Sequence, residues 1–290
     1  MFLLLRLSLV LAGMLGIVYL AALLFLYLRQ TRLIFLPSAQ IEATPAEVGL
    51  VYQEVSLPVR HDFTQKLHGW WIPATGQEVG VLLYLHGNGL NISANVAHAH
   101  RFHKLGLSVL LMDYRGYGKS VGGFPTEAKV YEDAQLMWNY LTQTRKIPAD
   151  RIFIYGHSLG GAIAIDLAVH HPNAPGVIVD GSFTSMADMA RLNPLFSRFP
   201  INFVLTQRFN SIRKVRALQM PVLFIHGTAD DRVPSFMSQA LYVAAPEPKF
   251  LYLVPQAGHN DVAEVAGDEY LQTTQQFIRQ AIASQVSPRP

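Results

Sequence analysis

Gly156-His157-Ser158-Leu159-Gly160 stands between two apolar runs, and its reading decides the fold. Before it, Arg151-Ile152-Phe153-Ile154-Tyr155 reads as a buried strand. After it, Gly161-Ala162-Ile163-Ala164-Ile165-Asp166-Leu167-Ala168 reads as a helix. A G-x-S-x-G turn from strand to helix strains its central residue and lifts that side chain above the sheet. Larger side chains at the flanking glycines would clash where the helix packs back on the strand. Ser158 is therefore expected as an exposed hydroxyl at a helix N-terminus, a candidate nucleophile. The bland alternative is a tight turn with an incidental serine.

Partners follow in a telling order. A hydroxyl is a poor nucleophile unless a base takes its proton, and the base needs an orienting acid. Pro221-Val222-Leu223-Phe224-Ile225 is a second buried strand, and it runs into His226-Gly227-Thr228-Ala229-Asp230. Phe250-Leu251-Tyr252-Leu253-Val254 is a last strand, and Pro255-Gln256-Ala257-Gly258-His259-Asn260 follows it. The order Ser158, Asp230, His259 is the nucleophile–acid–base order of α/β-hydrolases. Asp180 also ends a strand and is the rival acid; Asp231 is adjacent to Asp230. Val81-Leu82-Leu83-Tyr84-Leu85 ends in the Gly-rich turn His86-Gly87-Asn88-Gly89. Such a turn can aim a backbone N–H at a developing oxyanion beside the N–H of Leu159. Asn88 is the favoured donor and Gly89 the alternative, while His86 reads as a loop-holding side chain.

The remaining pattern gives a mostly parallel, eight-stranded α/β sheet flanked by helices. Val51–Leu57 and Leu67–Ile72 form an antiparallel hairpin pair. Strands near 80–85, 107–113, 152–156, 176–180, 221–226 and 249–254 alternate with helices near 92–105, 127–144, 160–171, 235–244 and 266–284. That alternation calls for parallel crossovers.

Five stretches together resemble the α/β-hydrolase superfamily and, within it, the membrane-anchored BEM46-like group. They are Leu85-His86-Gly87-Asn88-Gly89-Leu90-Asn91, Asp113-Tyr114-Arg115-Gly116-Tyr117-Gly118-Lys119-Ser120, Gly156-His157-Ser158-Leu159-Gly160-Gly161, His226-Gly227-Thr228-Ala229-Asp230 and Gly258-His259-Asn260. The resemblance implies an α/β-hydrolase fold with a small cap between strands 6 and 7, serine-hydrolase chemistry, and no metal or organic cofactor. It places the acid at Asp230, one residue before Asp231, and says little about substrate.

Composition agrees. Half of the residues are hydrophobic, and 290 residues are ample for one large core. The formal net charge of +3 is mild. The one tight basic cluster, Arg213, Lys214 and Arg216, reads as a solvated helix face, so no nucleic-acid partner is expected. With no cysteine there is neither a disulfide nor a thiol nucleophile. Gly118-Lys119-Ser120 resembles the end of a P-loop, but that motif needs a glycine where Asp113 stands. His98, His100 and His103 do not share one helix face and read as solvated or capping residues rather than metal ligands.

Residues 1–30 form a separate unit. Leu7 to Leu28 is a stretch of 22 uncharged residues between Arg6 and Arg29. As a helix at about 1.5 Å per residue it extends roughly 33 Å, against a hydrocarbon core of about 30 Å. It reads as a single transmembrane anchor, with a cleaved signal peptide as the competing reading. Residues 31–48 read as a juxtamembrane linker and 49–285 as the hydrolase domain, its cap at about 182–218. On this reading a chain starting near Thr31 keeps the triad and hydrolyses short soluble esters. The cap is rich in Met and Phe, and Phe196, Phe199 and Phe203 are its candidate substrate contacts. Alternatively these residues simply pack the cap on the sheet.

The leading expectation is a membrane-anchored serine hydrolase of apolar, lipid-like acyl esters or thioesters, on either side of the membrane. A serine peptidase of the same fold is the second reading. A non-catalytic hydrolase-like binding protein is the third.

Overall fold

The computed structural model describes residues 1–59 and 62–286, and side chains other than those of residues 62, 63 and 286. Eight strands form the main sheet: β1 Gln53–Val59, β2 Asp62–Ile72, β3 Gly80–Leu85, β4 Leu107–Met112, β5 Ile152–His157, β6 Val177–Asp180, β7 Val222–Gly227 and β8 Lys249–Val254. Their order across the sheet is β8-β7-β6-β5-β3-β4-β2-β1. From β8 to β4 every pairing is parallel. The hairpin β1–β2 joins the edge antiparallel. This is the architecture expected from the strand spacing.

Burial explains why the central strands read as continuous apolar runs. β3, β4, β6 and β7 are buried along their whole length. Parallel strands must be covered on both faces, because their crossover helices lie there. Val81, Leu83 and Leu85 face one core, with Val130, Ala134 and Met137 of α3 (Glu127–Asn139) and the apolar α4 (Leu159–His170). Leu82 and Tyr84 face the other, with Phe102 of α2 (Val96–Lys104) and Phe277 of the C-terminal helix Asp268–Val286. The strict alternation follows from the two-residue period of a strand.

Helices differ from expectation mainly at their ends. The expected helix over 92–105 opens with a tight turn at Ile92–Asn95 before α2. The expected helix over 266–284 is the Asp268–Val286 helix, preceded by a separate short helix, Val262–Ala266. Gly267 sits between them at φ 56°, a conformation that ends the first helix. The cluster read as a solvated basic face also needs correction. Lys214 turns inward: its Nζ lies 2.6 Å from Asp166 Oδ1 and donates to Tyr131 Oη at 3.0 Å. Its stem lets the ammonium reach a partly buried carboxylate instead of water.

The N-terminal helix α1 runs from Phe2 to Ile34, past residue 30. Leu36–Pro37 then pairs in parallel with Gly89–Leu90 beside the turn after β3. Phe35 is buried and meets Phe209 edge-on at 6.0 Å. The segment read as a linker is thus helix, then strand, built into the domain.

Candidate active site

Four loops at the carboxyl ends of the strands converge, where open α/β sheets place their sites. The turn after β5 holds Ser158 at φ 55° and ψ −119°, off the usual regions for a residue with a side chain. It is held there by flanking contacts. The Ser158 N–H donates to the Asp180 carbonyl at 2.8 Å, and Ser182 Oγ donates to the Ser158 carbonyl at 2.8 Å. A Cβ at Gly156 would fall 2.1 Å from the Gly160 carbonyl oxygen, and one at Gly160 would fall 2.0 Å from that of Leu85. Only glycine permits backbone this close at both positions.

His259 Nε2 lies 3.0 Å from Ser158 Oγ, and His259 Nδ1 lies 2.6 Å from Asp230 Oδ2. These two contacts fix the neutral tautomer. Nδ1–H donates to the carboxylate, which leaves Nε2 to accept from the hydroxyl. The loops carrying Asp230 and His259 are stitched together. Ala229 N–H donates to the Ala257 carbonyl at 2.8 Å, and Thr228 N–H to the Val254 carbonyl at 2.9 Å. Their approach leaves no room for a Cβ at Gly227, which would lie 2.3 Å from the Ala257 carbonyl oxygen.

Asp230 is surrounded by donors. Its Oδ1 accepts from the N–H groups of Arg232 and Val233 at 2.9 and 2.8 Å. Burial alone would raise its pKa; hydrogen bonds from His226, His259 and the Val233 N–H outweigh that and hold it well below the usual carboxylate range. His226 is a partner that the sequence reading passed over as a strand end. Its Nε2–H is shared between Asp230 Oδ2 at 3.1 Å and the Val233 carbonyl at 2.7 Å, and its Nδ1 accepts from Ser238 Oγ at 2.6 Å. The signal was the four-residue step from His226 to Asp230 across a tight turn.

Asp180, the rival acid, points elsewhere. Its Oδ2 accepts from Tyr155 Oη at 3.0 Å and Tyr270 Oη at 3.3 Å. Burial pushes its pKa up, against the pull of His157 and Tyr155. Asp231 is exposed, beside the site rather than in it.

A cavity of about 370 Å³ opens over Ser158, Leu159, Asn88 and His259. Gly89 is not among its lining residues and pairs instead with Leu36. Asn88 is pinned from two sides. Its Nδ2 donates to the Ile34 carbonyl at 2.9 Å, and its own carbonyl accepts from Leu36 N–H and Tyr117 Oη at 2.9 and 2.7 Å.

The rest of the cavity is apolar and comes from two places. The cap, whose helices include α5 (Met186–Leu192) and α6 (Ile201–Val204), contributes Met186, Met189, Phe196 and Ile201. The other wall is α1, through Leu26, Leu33 and Ile34. Among the described residues no carboxylate lines the cavity, and Arg232 is the one Lys or Arg that does. Of the three expected phenylalanines, only Phe196 reaches it. Phe199 stacks on Tyr19 of α1 at 5.4 Å, and Phe203 is 90% exposed. The reason is helical spacing: Ile201 and Val204 share the inward face of α6, which turns Phe203 outward.

Gln30 joins the two apolar walls. Its Oε1 accepts from Thr206 N–H at 2.7 Å, Thr206 Oγ1 at 3.0 Å and Gln207 N–H at 3.1 Å. Its Nε2 donates to the Tyr27 carbonyl at 2.8 Å and the Val204 carbonyl at 3.3 Å. The helix read in the sequence as an anchor thus also contributes a wall of the pocket. Among the described residues no three His, Asp or Glu side chains cluster as metal ligands.

Several known proteins are similar to this chain over most of its length. An uncharacterized protein of Mycobacterium tuberculosis is 34% identical over 256 residues, covering 88% of this chain and 89% of that one. Protein bem46 of Schizosaccharomyces pombe is 32% identical over 275 residues, covering 90% and 89%. The chain belongs to the BEM46-like group of α/β-hydrolases. The α/β-hydrolase domain-containing protein WAV2 of Arabidopsis thaliana is 30% identical, covering 86% and 87%. A family model described as serine aminopeptidase, S33, matches residues 76–214. Among solved structures, the Pyrococcus furiosus esterase Pf2001 superposes with a TM-score of 0.69 at 21% identity, covering 85% of this chain and 98% of that one. That likeness is one of fold. The chain is a hydrolase by family.

Proposed function

We infer that this hydrolase is a membrane-anchored serine esterase or thioesterase acting on apolar acyl substrates. The observation that carries the reading is the continuous hydrogen-bonded relay Ser158–His259–Asp230 beneath an apolar cavity. Ser158 Oγ attacks the acyl carbon while His259 Nε2 takes its proton. Asp230 holds the imidazole tautomer and stabilises the imidazolium, remaining ionised throughout. The N–H groups of Leu159 and Asn88 receive the oxyanion; the carbonyl and side-chain amide of Asn88 are already engaged, which leaves its N–H for that role. His259 then protonates the leaving group, and water resolves the acyl-enzyme by the same path. No step calls for a metal or organic cofactor.

The description of the matching family model favours a second reading, an aminopeptidase. Such a site needs an acidic group for the substrate amine, and the cavity lining supplies none. The helix α1, apolar and exposed along its N-terminal part, serves as the anchor in this reading.

A fluorophosphonate probe tests the nucleophile. Wild-type protein labels at one site, and Ser158→Ala abolishes labelling without loss of fold by circular dichroism. Stoichiometric labelling of another serine in that variant would overturn the assignment. A panel of acyl esters, thioesters and aminoacyl amides then separates esterase from peptidase.

A further inference from the structure

The cap does not merely sit beside the foot of α1; it climbs along it. Gln30 binds Val204, Thr206 and Gln207 at the lower end. At the upper end the Tyr19 ring stacks on Phe199 at 5.4 Å, and Tyr19 Oη donates to the Arg198 carbonyl at 3.4 Å. Tyr19 to Gln30 is eleven residues, or roughly 16 Å of helix axis at about 1.5 Å per residue. Tyr19 lies well inside the uncharged stretch Leu7–Leu28, which ends at Arg29. An element fixed to residue 19 of a membrane-spanning helix cannot stay wholly in water.

We propose that the cap is immersed in the leaflet on the domain's side of the membrane, and that the cavity exchanges acyl substrate directly with that leaflet. The proposal rests on the reading of α1 as a membrane span. Three further features support it.

Leu192, Leu195 and Phe203 are 46%, 60% and 90% exposed, three large apolar side chains within twelve residues of the cap. Single exposed apolar residues are ordinary, but a group continuous with the apolar surface of a membrane helix marks a lipid-facing patch. The backbone here can enter an interface because it bonds internally. Phe199 N–H donates to Phe196, Ile201 to Phe199 and Phe203 to Pro200, while Pro194 and Pro200 have no N–H to satisfy.

Charge provides the third feature. From Met189 to Ala229 the chain has no Asp or Glu, yet it has Arg191, Arg198, Arg208, Arg213, Lys214 and Arg216. Arg191 pairs with Asp188 and Lys214 with Asp166. The other four guanidinium groups make no ion pair among the described residues, and Arg29 adds a cation at the foot of the span. Unpaired cations in the same segment as an exposed apolar group suit anionic phospholipid headgroups. Helix tilt reduces the depth reached by Phe199, and Arg198 can snorkel back to the headgroups.

The two apolar walls of the cavity, α1 and the cap, are then the two elements in the leaflet. A long acyl ester would slide from bilayer to Ser158 without passing through water. The substrate class is accordingly an amphiphile resident in the membrane, with its scissile bond near the headgroup level.

The absence of cysteine permits a direct test on the full-length protein. Leu195→Cys, Phe203→Cys, Leu11→Cys on α1 and Val243→Cys on the exposed surface of the helix Phe236–Ala244, outside cap and anchor, are each labelled with an environment-sensitive fluorophore. The proteins are reconstituted in phosphatidylcholine–phosphatidylglycerol vesicles containing spin-labelled lipid. The expected result is blue-shifted, lipid-quenched emission at positions 195, 203 and 11, and water-like, unquenched emission at 243. Quenching at 11 with water-like emission at 195 and 203 would overturn cap immersion and leave the anchor standing. Unquenched emission at all four would overturn the anchor reading as well. Equal quenching at all four, 243 included, would mean nonspecific adsorption and would also overturn the proposal.

Discussion

The two walls of the cavity obey different rules. The polar wall, with Ser158, His259 and Asp230, is fixed by distances of 2.6 to 3.0 Å and by glycines whose replacement would bring atoms to about 2 Å. The apolar wall of α1 and cap is held by packing, the amide of Gln30 and a Tyr19 hydroxyl. Hydrogen-bonded chemistry tolerates almost no displacement, whereas apolar packing tolerates exchange of side chains of similar volume. Substitutions on the polar wall should therefore act on turnover, and those on the apolar wall on which acyl chains are accepted.

The largest effect is expected at Asp230. Two aspartates end neighbouring strands, and their surroundings separate them: four donors surround Asp230, while two tyrosine hydroxyls and burial enclose Asp180. Asp230→Asn should lower kcat on a soluble ester by about 10⁴, as in the serine-protease triad, because the wrong imidazole tautomer is then favoured. Asp180→Asn should keep kcat within about tenfold of wild type, a change of less than roughly 1.4 kcal/mol. A reversed order of the two would break the contrast between the carboxylates.

Next comes removal of residues 1–30. A tether could be cut without changing hydrolysis in detergent, where no membrane need be reached. A wall cannot. Leu26 and the Gln30 clamp are lost, and each large apolar contact is worth ~1.5–3 kcal/mol. In detergent micelles kcat/KM for long-chain esters should fall by about tenfold or more, at 1.4 kcal/mol per decade. Short-chain esters should lose much less. Equal retention on both chain lengths would return α1 to the role of a tether. Alkaline carbonate extraction checks the anchor separately. The full chain should stay in the pellet with its N-terminus intact, whereas a mature chain starting at about residue 20–40 would mean a cleaved signal peptide.

These two walls were not equally legible in the sequence. The elbow, the order Ser158–Asp230–His259 and the turn at Asn88 could be read because each demands particular residue types at fixed places. The strands and their parallel alternation with helices followed from apolar runs and their spacing, whereas their order across the sheet came from the structure. The apolar wall carried no such mark, since Phe196, Phe199 and Phe203 are chemically alike and only the local turns of the cap send them to three places. The role of α1 was readable in part. Leu26, Gln30, Leu33 and Ile34 are spaced as one helix face, and Tyr19 continues it seven residues earlier. From Leu7 to Leu28 the helix is apolar all round, so that stripe is hidden, and the amide of Gln30 just beyond is its one mark on that face.

A milder substitution sharpens the same contrast within the cap. Phe196→Ala enlarges the cavity and should shift the preferred acyl chain length, read as the ratio of kcat/KM for long and short esters. Phe203→Ala lies outside the cavity and should move that ratio less. A larger shift from Phe203→Ala would mean that the cap repacks when substrate binds.

The smallest effect concerns the pH dependence of stability, where the two aspartates should differ in sign. The Asp230 pKa is depressed in the folded state. Its contribution is present above the unfolded value of about 3.9 and is lost as pH falls through the lower folded value. The Asp180 pKa is raised. Between about 3.9 and that higher folded value the unfolded chain ionises while the native carboxyl stays protonated, so this group lowers stability as pH rises. Urea midpoints from pH 3 to 8 would show it. The advantage of wild type over Asp230→Asn should grow with rising pH, and that over Asp180→Asn should shrink. Parallel curves for the two variants would mean that both carboxylates ionise alike. The donors around Asp230 would then orient His259 without setting the charge of the acid.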